Sequence, residues 1–391
     1  MNHVLAARRL VEGVKSKNLS AVLVFIDFSK AFDSINRKKM LQILSAYGIP
    51  KKILTAIEVM YNETLAKVIS PDGSTELFKI MKGVLQGDTL APYLFVIVLD
   101  YALRKAIIGR EEELGFLLES RRSRRYQAKC LTDLEFADDI MLASNEISQA
   151  QELLSCVERF SYEIGLELNV KKTKCMLFNN AKNSSQKLYT SGGKEIEIVD
   201  DFRYLRSYIE SSENDISIRK ALAWQAIHKL RKIWYSKMNR DLKIRLFKST
   251  VESVLLYGCE AWTITSKIAK SLNGTYTRLL RTVLNIRVDA NHHISNVNLY
   301  QDLPYVSDVI RWRRLKLAGH CHRAKKEIVS QLLFWHPRHG SSKRRRPSKS
   351  YVDVLLEDTG LYNQEEIKSL MNNREEWKEL IARDRKLARQ K

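Results

Sequence analysis

The chain has 391 residues, 45% of them hydrophobic and 28% charged, with only 15 Gly and 6 Pro, a composition that excludes low-complexity and collagen-like chains and leaves room for two or three packed domains. Its formal net charge is +21, carried unevenly: residues 1–200 hold 28 Lys and Arg against 25 Asp and Glu, and residues 201–391 hold 38 against 20. No apolar run approaches the length of a membrane span and no secretory leader is recognisable, so a nuclear or cytoplasmic, non-secreted protein is expected, with its basic half either facing phosphate or forming a soluble surface.

The opening segment reads as a helix, with Val4, Leu5, Leu10, Val11 and Val14 on one broad apolar side. Residues 21–28 (AVLVFIDF) form a near-continuous β-branched and apolar run, the mark of a strand buried on both faces, and Asp27 sits near its end. Asn36 can cap the next helix and Gly48 followed by Pro50 stops it, after which a second helix is expected to about Tyr61. Residues 67–70 and 77–80 read as a hairpin across Pro71, Asp72 and Gly73. A loop with Gly83 and Gly87 then leads into a helix with Pro92 in its first turn, apolar nearly all round and so expected to be buried.

The basic run at residues 121–126 (RRSRRY) is a loop that either meets a phosphate backbone through Arg121, Arg122, Arg124 and Arg125 or is simply solvated. Beyond it, LTDLEFADDIML (131–142) reads as strand, tight turn, strand, with Asp138 and Asp139 at the tip. Taken alone, an acidic tip is more often architecture than chemistry, because Asp is a favoured turn residue. A helix ending at Gly165, then a strand, a turn and another strand through LELNVKKTKCMLF, complete an α+β layer in which helices back a small antiparallel sheet.

The second half is mainly helical, with spans expected at 215–238 and 241–257 and a last charged helix around Trp377. Residues 311–350 hold 13 Lys and Arg against one acid, Glu327, and Arg344, Arg345 and Arg346 form the densest part. Five scattered cysteines without CxxC spacing point to free thiols, and the adjacent His320, Cys321 and His322 do not have the spacing of a zinc site.

A buried strand ending in Asp27 and a hairpin tipped by Asp138 and Asp139 would bring three carboxylates together, and their repulsion calls for divalent cations. Hard oxygen ligands suit two Mg²⁺ or Mn²⁺ ions, the arrangement used for phosphoryl transfer.

IDFSKAFDSI, GVLQGDTLAPYLF, EFADDIML and GLELNVKKTK, in this order, resemble the A, B, C and D palm motifs of reverse transcriptases of the non-LTR (LINE-type) retrotransposons. DFRYLRSYI resembles the family's primer grip, and YGCEAW and IRWRRLKLAGH resemble its basic C-terminal parts. The resemblance implies a polymerase palm with partial fingers over residues 1–200, a primer grip and helical thumb over 201–300, and a basic helical extension over 301–391. It implies an RNA-directed DNA polymerase acting on an RNA template, a DNA primer and dNTPs, with no membrane. The alternative is a catalytically dead fragment that only binds nucleic acid.

By the same resemblance Asp27, Asp138 and Asp139 would ligate the two ions, with the Phe28 carbonyl as a further ligand. Phe32 would act as a gate against a ribonucleotide 2′-hydroxyl, and Gln86 and Gly87 would line the nucleotide pocket. Lys172 would protonate the leaving pyrophosphate, with Lys171 and Lys174 as competitors, and Tyr204 and Leu205 would press on the primer end. Two positions depart from the pattern: Thr89 stands for a common Pro, and Arg206 for a Gly whose left-handed conformation an arginine would be expected to distort. Only 26 residues precede Asp27, which implies a shortened, N-terminally truncated fingers segment.

Overall fold

The computed structural model describes residues 1–179, 181, 186–286, 294–341 and 348–389, with side chains to 386. Arg344, Arg345 and Arg346 therefore lie outside the described residues. Two compact units result: a sheet unit of Asn18–Asp200 with Pro337–Gly340, and a helical unit of Met1–Lys17, Asp201–His336 and Ser341–Lys391. A break follows residue 200. The first 17 residues, however, belong to the helical unit, which also joins the expected thumb and extension. An amphipathic helix signals that one side is buried but not against which partner.

The sheet unit is built on β1 (Ala21–Ile26), β2 (Asp133–Phe136), β3 (Asp139–Ser144), β4 (Lys174–Phe178) and β5 (Glu197–Ile198), in the spatial order β5-β4-β1-β3-β2. Pairing is antiparallel except between β4 and β5. All six residues of β1 are buried, as its unbroken apolar run requires. Val22, Val24 and Ile26 of β1 share a core with Ile140 and Leu142 of β3, with Leu94, Phe95, Val98 and Leu99 of the helix Ala91–Ile107, and with Leu153, Leu154 and Val157 of the helix Ile147–Glu163. Burial of each such large side chain contributes about 1.5–3 kcal/mol.

Local signals act as their chemistry dictates. The Asn36 side chain accepts from the Lys39 N–H at 3.2 Å and starts the helix Arg37–Ala46. Gly165 takes a positive φ of 91° just past the helix Ile147–Glu163. The expected hairpin over 67–80 forms with its ladder interrupted, Leu65–Ala66 pairing with Phe78–Lys79 and Ile69–Ser70 with Gly73–Ser74. Arg37 sets this arrangement: its Nη1 donates to the carbonyls of Tyr61 (2.7 Å) and Ile80 (2.8 Å) and to Thr64 Oγ1 (2.8 Å), and its Nε donates to the Gly83 carbonyl (2.9 Å).

In the helical unit the expected span at 241–257 is interrupted. The helix Arg240–Phe247 widens into a π turn at Lys248–Glu252 before Ser253–Leu255. Glu252 in that turn is buried and accepts from the Tyr276 hydroxyl at 2.5 Å. The five cysteines are free thiols, as expected, and no helix among the described residues is long and apolar enough to cross a membrane.

The segment resembling a primer grip is a two-strand hairpin, Arg203–Tyr204 with Ser207–Tyr208. Its two-residue turn places both Leu205 (φ 47°) and Arg206 (φ 64°) in the left-handed region, the conformation of a type I′ turn. Arg206 thus adopts the conformation that glycine would favour, and the turn is strained rather than distorted, at a cost of about 1–3 kcal/mol for such a residue. The Arg206 carbonyl still accepts from the Arg219 guanidinium, and that of Leu205 from the Tyr257 hydroxyl at 3.0 Å. Arg206→Gly keeps both bonds and is expected to stabilise the chain by about 0.5–1 kcal/mol, read as a higher urea midpoint. A lower midpoint would show that the arginine side chain more than offsets its strain.

Candidate active site

The register of β1 on β3 positions the carboxylates. Ile26 pairs with Ile140, so Asp27, one residue past β1, falls across from Asp139, the first residue of β3. Ala137 and Asp138 form the turn between β2 and β3, with Asp139 paired to Phe136. Asp138 is therefore at the tip, whereas Asp139 already belongs to the strand and is exposed. Ala137 holds a φ of 52°, a left-handed conformation costly to a residue with a Cβ.

Asp27 is clasped from both sides by the turn that follows the two-residue ladder of Glu167–Leu168 on Phe28–Ser29. Asn169 N–H donates to the Asp27 carbonyl at 2.8 Å, and Thr173 Oγ1 accepts from the Asp27 N–H at 3.3 Å. The Asp27 backbone is thereby fixed, and its Oδ2 is buried without a hydrogen bond, 3.2 Å from Lys172 Nζ in an ion pair. The same turn separates the three candidate lysines. Lys174 Nζ lies 2.5 Å from Glu197 and 2.6 Å from the Lys171 carbonyl, and Lys172 is the one directed to Asp27. Sequence reasoning missed Asn169 and Thr173; their turn-forming residue types were the available signal.

The loop resembling motif B is pinned beside this site. Val84 N–H donates to the Phe32 carbonyl (2.8 Å), Gly83 N–H to the Ile35 carbonyl (2.8 Å) and Gln86 Nε2 to Asp33 Oδ1 (3.1 Å). Gly83 has φ +81°, and a Cβ there would stand 2.6 Å from the Asp33 backbone, so glycine is required. Gly87 also has positive φ (+92°), with open space around it. Phe32 is half-buried and stacks on Phe95, with ring centroids 4.4 Å apart and planes at 12°. The Phe28 side chain is buried in the core.

The structure thus pairs Lys172 with Asp27, sets Asp27 across from Asp139 by register, and packs the loop of Gln86 and Gly87 against the segment of Phe32, while the expected gathering of all three carboxylates is not met, because Asp138 stays in the turn and Asp139 is exposed on the strand. Arg121, Arg122, Arg124 and Arg125 lie elsewhere in the sheet unit, and Tyr204 and Leu205 belong to the helical unit.

A family model described as reverse transcriptase (RNA-dependent DNA polymerase) matches residues 2–209. The chain belongs to the reverse transcriptase family. This reverse transcriptase is 27% identical over 245 residues to a transposon-derived protein of Caenorhabditis elegans, an alignment that covers 60% of this chain and 87% of that protein. It is 23% identical over 297 residues to the Pol polyprotein of a type-1 retrotransposable element R2 of Popillia japonica, covering 74% of this chain and 45% of the relative. With the type-2 element R2DM of Drosophila melanogaster it shares 31% identity over 153 residues, 39% of this chain and 13% of the relative. These relatives bear out the resemblance to LINE-type enzymes drawn from the four motifs, and the α+β layer of the sheet unit agrees with the fold class that the resemblance implies.

The reverse transcriptase family works with divalent cations, and the residues present fit them. Among the described residues no three His, Cys, Asp or Glu side chains gather closely enough to hold an ion by themselves. Mg²⁺, however, ordinarily takes one or two carboxylates and completes its shell with water and substrate phosphates. Asp27, whose buried Oδ2 has no hydrogen bond and only the Lys172 ammonium beside it, supplies one such carboxylate, and Asp138 at the adjoining turn would supply the second.

Three residues before Asp138, Glu135 sits opposite Ile140 on the helix-backed sheet. Burial, followed by the carboxylates of Asp133 and Asp100, pushes its pKa up to about 8. The unfolded value is about 4.3, so the folded chain binds the extra proton between these values. Glu135 therefore contributes stability that is fully present below about pH 4 and lost as pH rises through about 8. Glu135→Gln mimics the protonated form: its thermal midpoint is expected to match the parent below about pH 4 and to exceed it near pH 9. Parallel curves for the two chains would refute the protonated Glu135.

Proposed function

We propose that this reverse transcriptase extends a DNA primer on an RNA template, transferring dNTPs at Asp27 and Asp138. The observation that supports this most is the juxtaposition, by β1–β3 register, of Asp27 with the Asp138–Asp139 turn, with Lys172 Nζ 3.2 Å from Asp27. Two divalent cations held by Asp27, Asp138 and Asp139, with the Phe28 carbonyl as a further ligand, would lower the charge on the attacking and leaving oxygens.

The chain's own residues do the rest. Asn169 and Thr173 hold the Asp27 backbone, so its carboxylate needs little reorganisation when substrate arrives. The primer 3′-hydroxyl gives its proton to water as its oxygen bonds to the α-phosphorus, the bond from that phosphorus to the oxygen bridging the β-phosphate breaks, and pyrophosphate leaves. Lys172 supplies a proton to the leaving group. Phe32, backed by Phe95, is placed to discriminate against a 2′-hydroxyl, and Gly87 allows close backbone approach by the nucleotide. Tyr204 and Leu205 contact the primer end.

Extension of a labelled DNA primer on an RNA template, with Mg²⁺ or Mn²⁺, tests the proposal. Template-length product, lost on adding EDTA, is expected. Salt-sensitive nucleic-acid binding without any synthesis would support the alternative of a binding-only chain.

A further inference from the structure

The arginines of residues 121–125 lie on a built element. Strands Phe116–Glu119 and Lys129–Leu131 pair as a hairpin, and its far end is closed by an ordered turn. Arg122 N–H donates to the Tyr126 carbonyl at 3.1 Å, and Ser123 Oγ accepts from the Arg125 and Tyr126 N–H groups at 3.2 and 3.3 Å. Arg121, Arg122, Arg124 and Arg125 are all exposed on this turn, and Tyr126 is 69% exposed. Among the described residues Arg122 has a carboxylate nearby, Glu119 at 3.9 Å, which Lys129 already approaches at 3.3 Å, while Arg121, Arg124 and Arg125 pair with none. Glu119 stands at the last strand pair before the turn, whereas Glu111 and Glu112 precede the hairpin, where burial first and then Glu112 and Glu111 push the Cys130 thiol up.

Two further observations bear on what this tip does. A segment more than 200 positions away, Pro337–Gly340, belongs to the same unit, with His339 Nε2 3.0 Å from Ser120 Oγ and exposed Arg338 beside it. The hairpin is also anchored at the end of β3 away from the carboxylates. Ser144 Oγ donates to the Leu114 carbonyl (2.7 Å), Asn145 Nδ2 donates to the Gly115 carbonyl (3.1 Å), and Asn145 Oδ1 accepts from Leu117 N–H (3.3 Å). From Asp139 to Ser144 the strand spans about 17 Å at ~3.3 Å per residue.

We propose that this hairpin tip is a second nucleic-acid site, at the opposite end of the palm sheet from the carboxylates, which grips a single strand. Unpaired guanidinium groups clamp successive phosphates in a bidentate fashion, Arg338 extends the track, and Tyr126 stacks an unpaired base. A single exposed aromatic among unpaired arginines suits a strand with accessible bases better than a lipid surface, which takes up a broad apolar face. The site does not depend on the catalytic reading, because it concerns binding alone.

The test uses the full chain and three labelled probes of equal length, a single-stranded RNA, a single-stranded DNA and a DNA duplex, titrated by fluorescence anisotropy over a range of salt. Replacing Arg121, Arg124 and Arg125 together by Ala is expected to weaken single-strand binding about 10- to 100-fold and to lower the log–log salt slope by about 2. Tyr126→Ala is expected to cost about tenfold on both single strands and to leave the duplex unaffected. A preference between the RNA and DNA arms identifies which strand the tip serves. An unchanged affinity and slope would overturn the proposal, as would a loss confined to the duplex. Should the triple substitution disturb folding, Arg124→Ala alone is expected to take about a third of the slope change.

Discussion

Asp138→Asn and Asp27→Asn are each expected to lower primer extension by about 10³-fold or more while leaving the fold intact. Removing one preorganised electrostatic group from a water-poor site typically costs about 10²–10³ in rate. A carboxylate that must also hold a divalent cation should exceed that range. Both substitutions are nearly isosteric, and neither residue holds the sheet together. Asp138 lies in the turn beyond the last β2–β3 pair, and the Asp27 bonds to Asn169 and Thr173 use its backbone, which Asn retains. Urea midpoints are accordingly expected to stay near the parent's. Activity within tenfold of the parent in either variant would remove the assigned role of that residue.

The largest expected effect on stability lies in the helical unit, at Asp215. Its side chain is 1% exposed and serves five groups at once. Oδ2 accepts from Arg8 Nη2 at 2.7 Å, Trp262 Nε1 at 2.8 Å and Ser207 Oγ at 3.3 Å, Oδ1 accepts from Tyr208 N–H at 3.2 Å, and Arg219 Nε stands 3.8 Å away. The hub ties the helix Asn2–Ser16 and the hairpin resembling a primer grip to the helix Ser212–Lys229. Gly258 completes it, since a Cβ there would stand 2.4 Å from Ser207 Oγ. Asp215→Ala leaves the buried Arg8 guanidinium without its counter-charge and is expected to cost about 3–5 kcal/mol in urea unfolding. Replacing Arg8 by Met in the same chain removes the stranded charge and should recover part of that loss. A cost below about 1 kcal/mol for Asp215→Ala would show that water readily replaces the carboxylate.

The elements that carry their own period were legible. The apolar run of β1, the strand, turn and strand around Asp138, and the helix with Pro92 in its first turn each satisfy a local rule, and each formed, but the expected all-round burial of that helix did not, since Tyr93 is 69% and Val96 48% exposed. What depends on a distant partner was not legible. Nothing in the order Lys171, Lys172, Lys174 says which ammonium meets Asp27, because the choice is made by a turn whose Asn169 and Thr173 bind the Asp27 backbone from more than 140 positions away. The destination of the first helix was hidden for the same reason: its apolar face is plain, but its partners Asp215 and Leu333 lie over 200 positions later. Arg37 reads as an ordinary basic residue at a helix start and proves to gather four backbone and side-chain acceptors. At Arg206 a rule was legible and its outcome was not, since tertiary bonds to the turn carbonyls hold an arginine where glycine is favoured.

The most direct measurement of the central claim is single-nucleotide incorporation opposite one chosen RNA template base, with the parent and Asp27→Asn chains compared at saturating template and primer. The parent should add dT opposite A and dC opposite G, with pyrophosphate released in equal amount, and Asp27→Asn should add neither at a measurable rate. Incorporation indifferent to the template base, or equal in the two chains, would contradict RNA-templated transfer at these carboxylates.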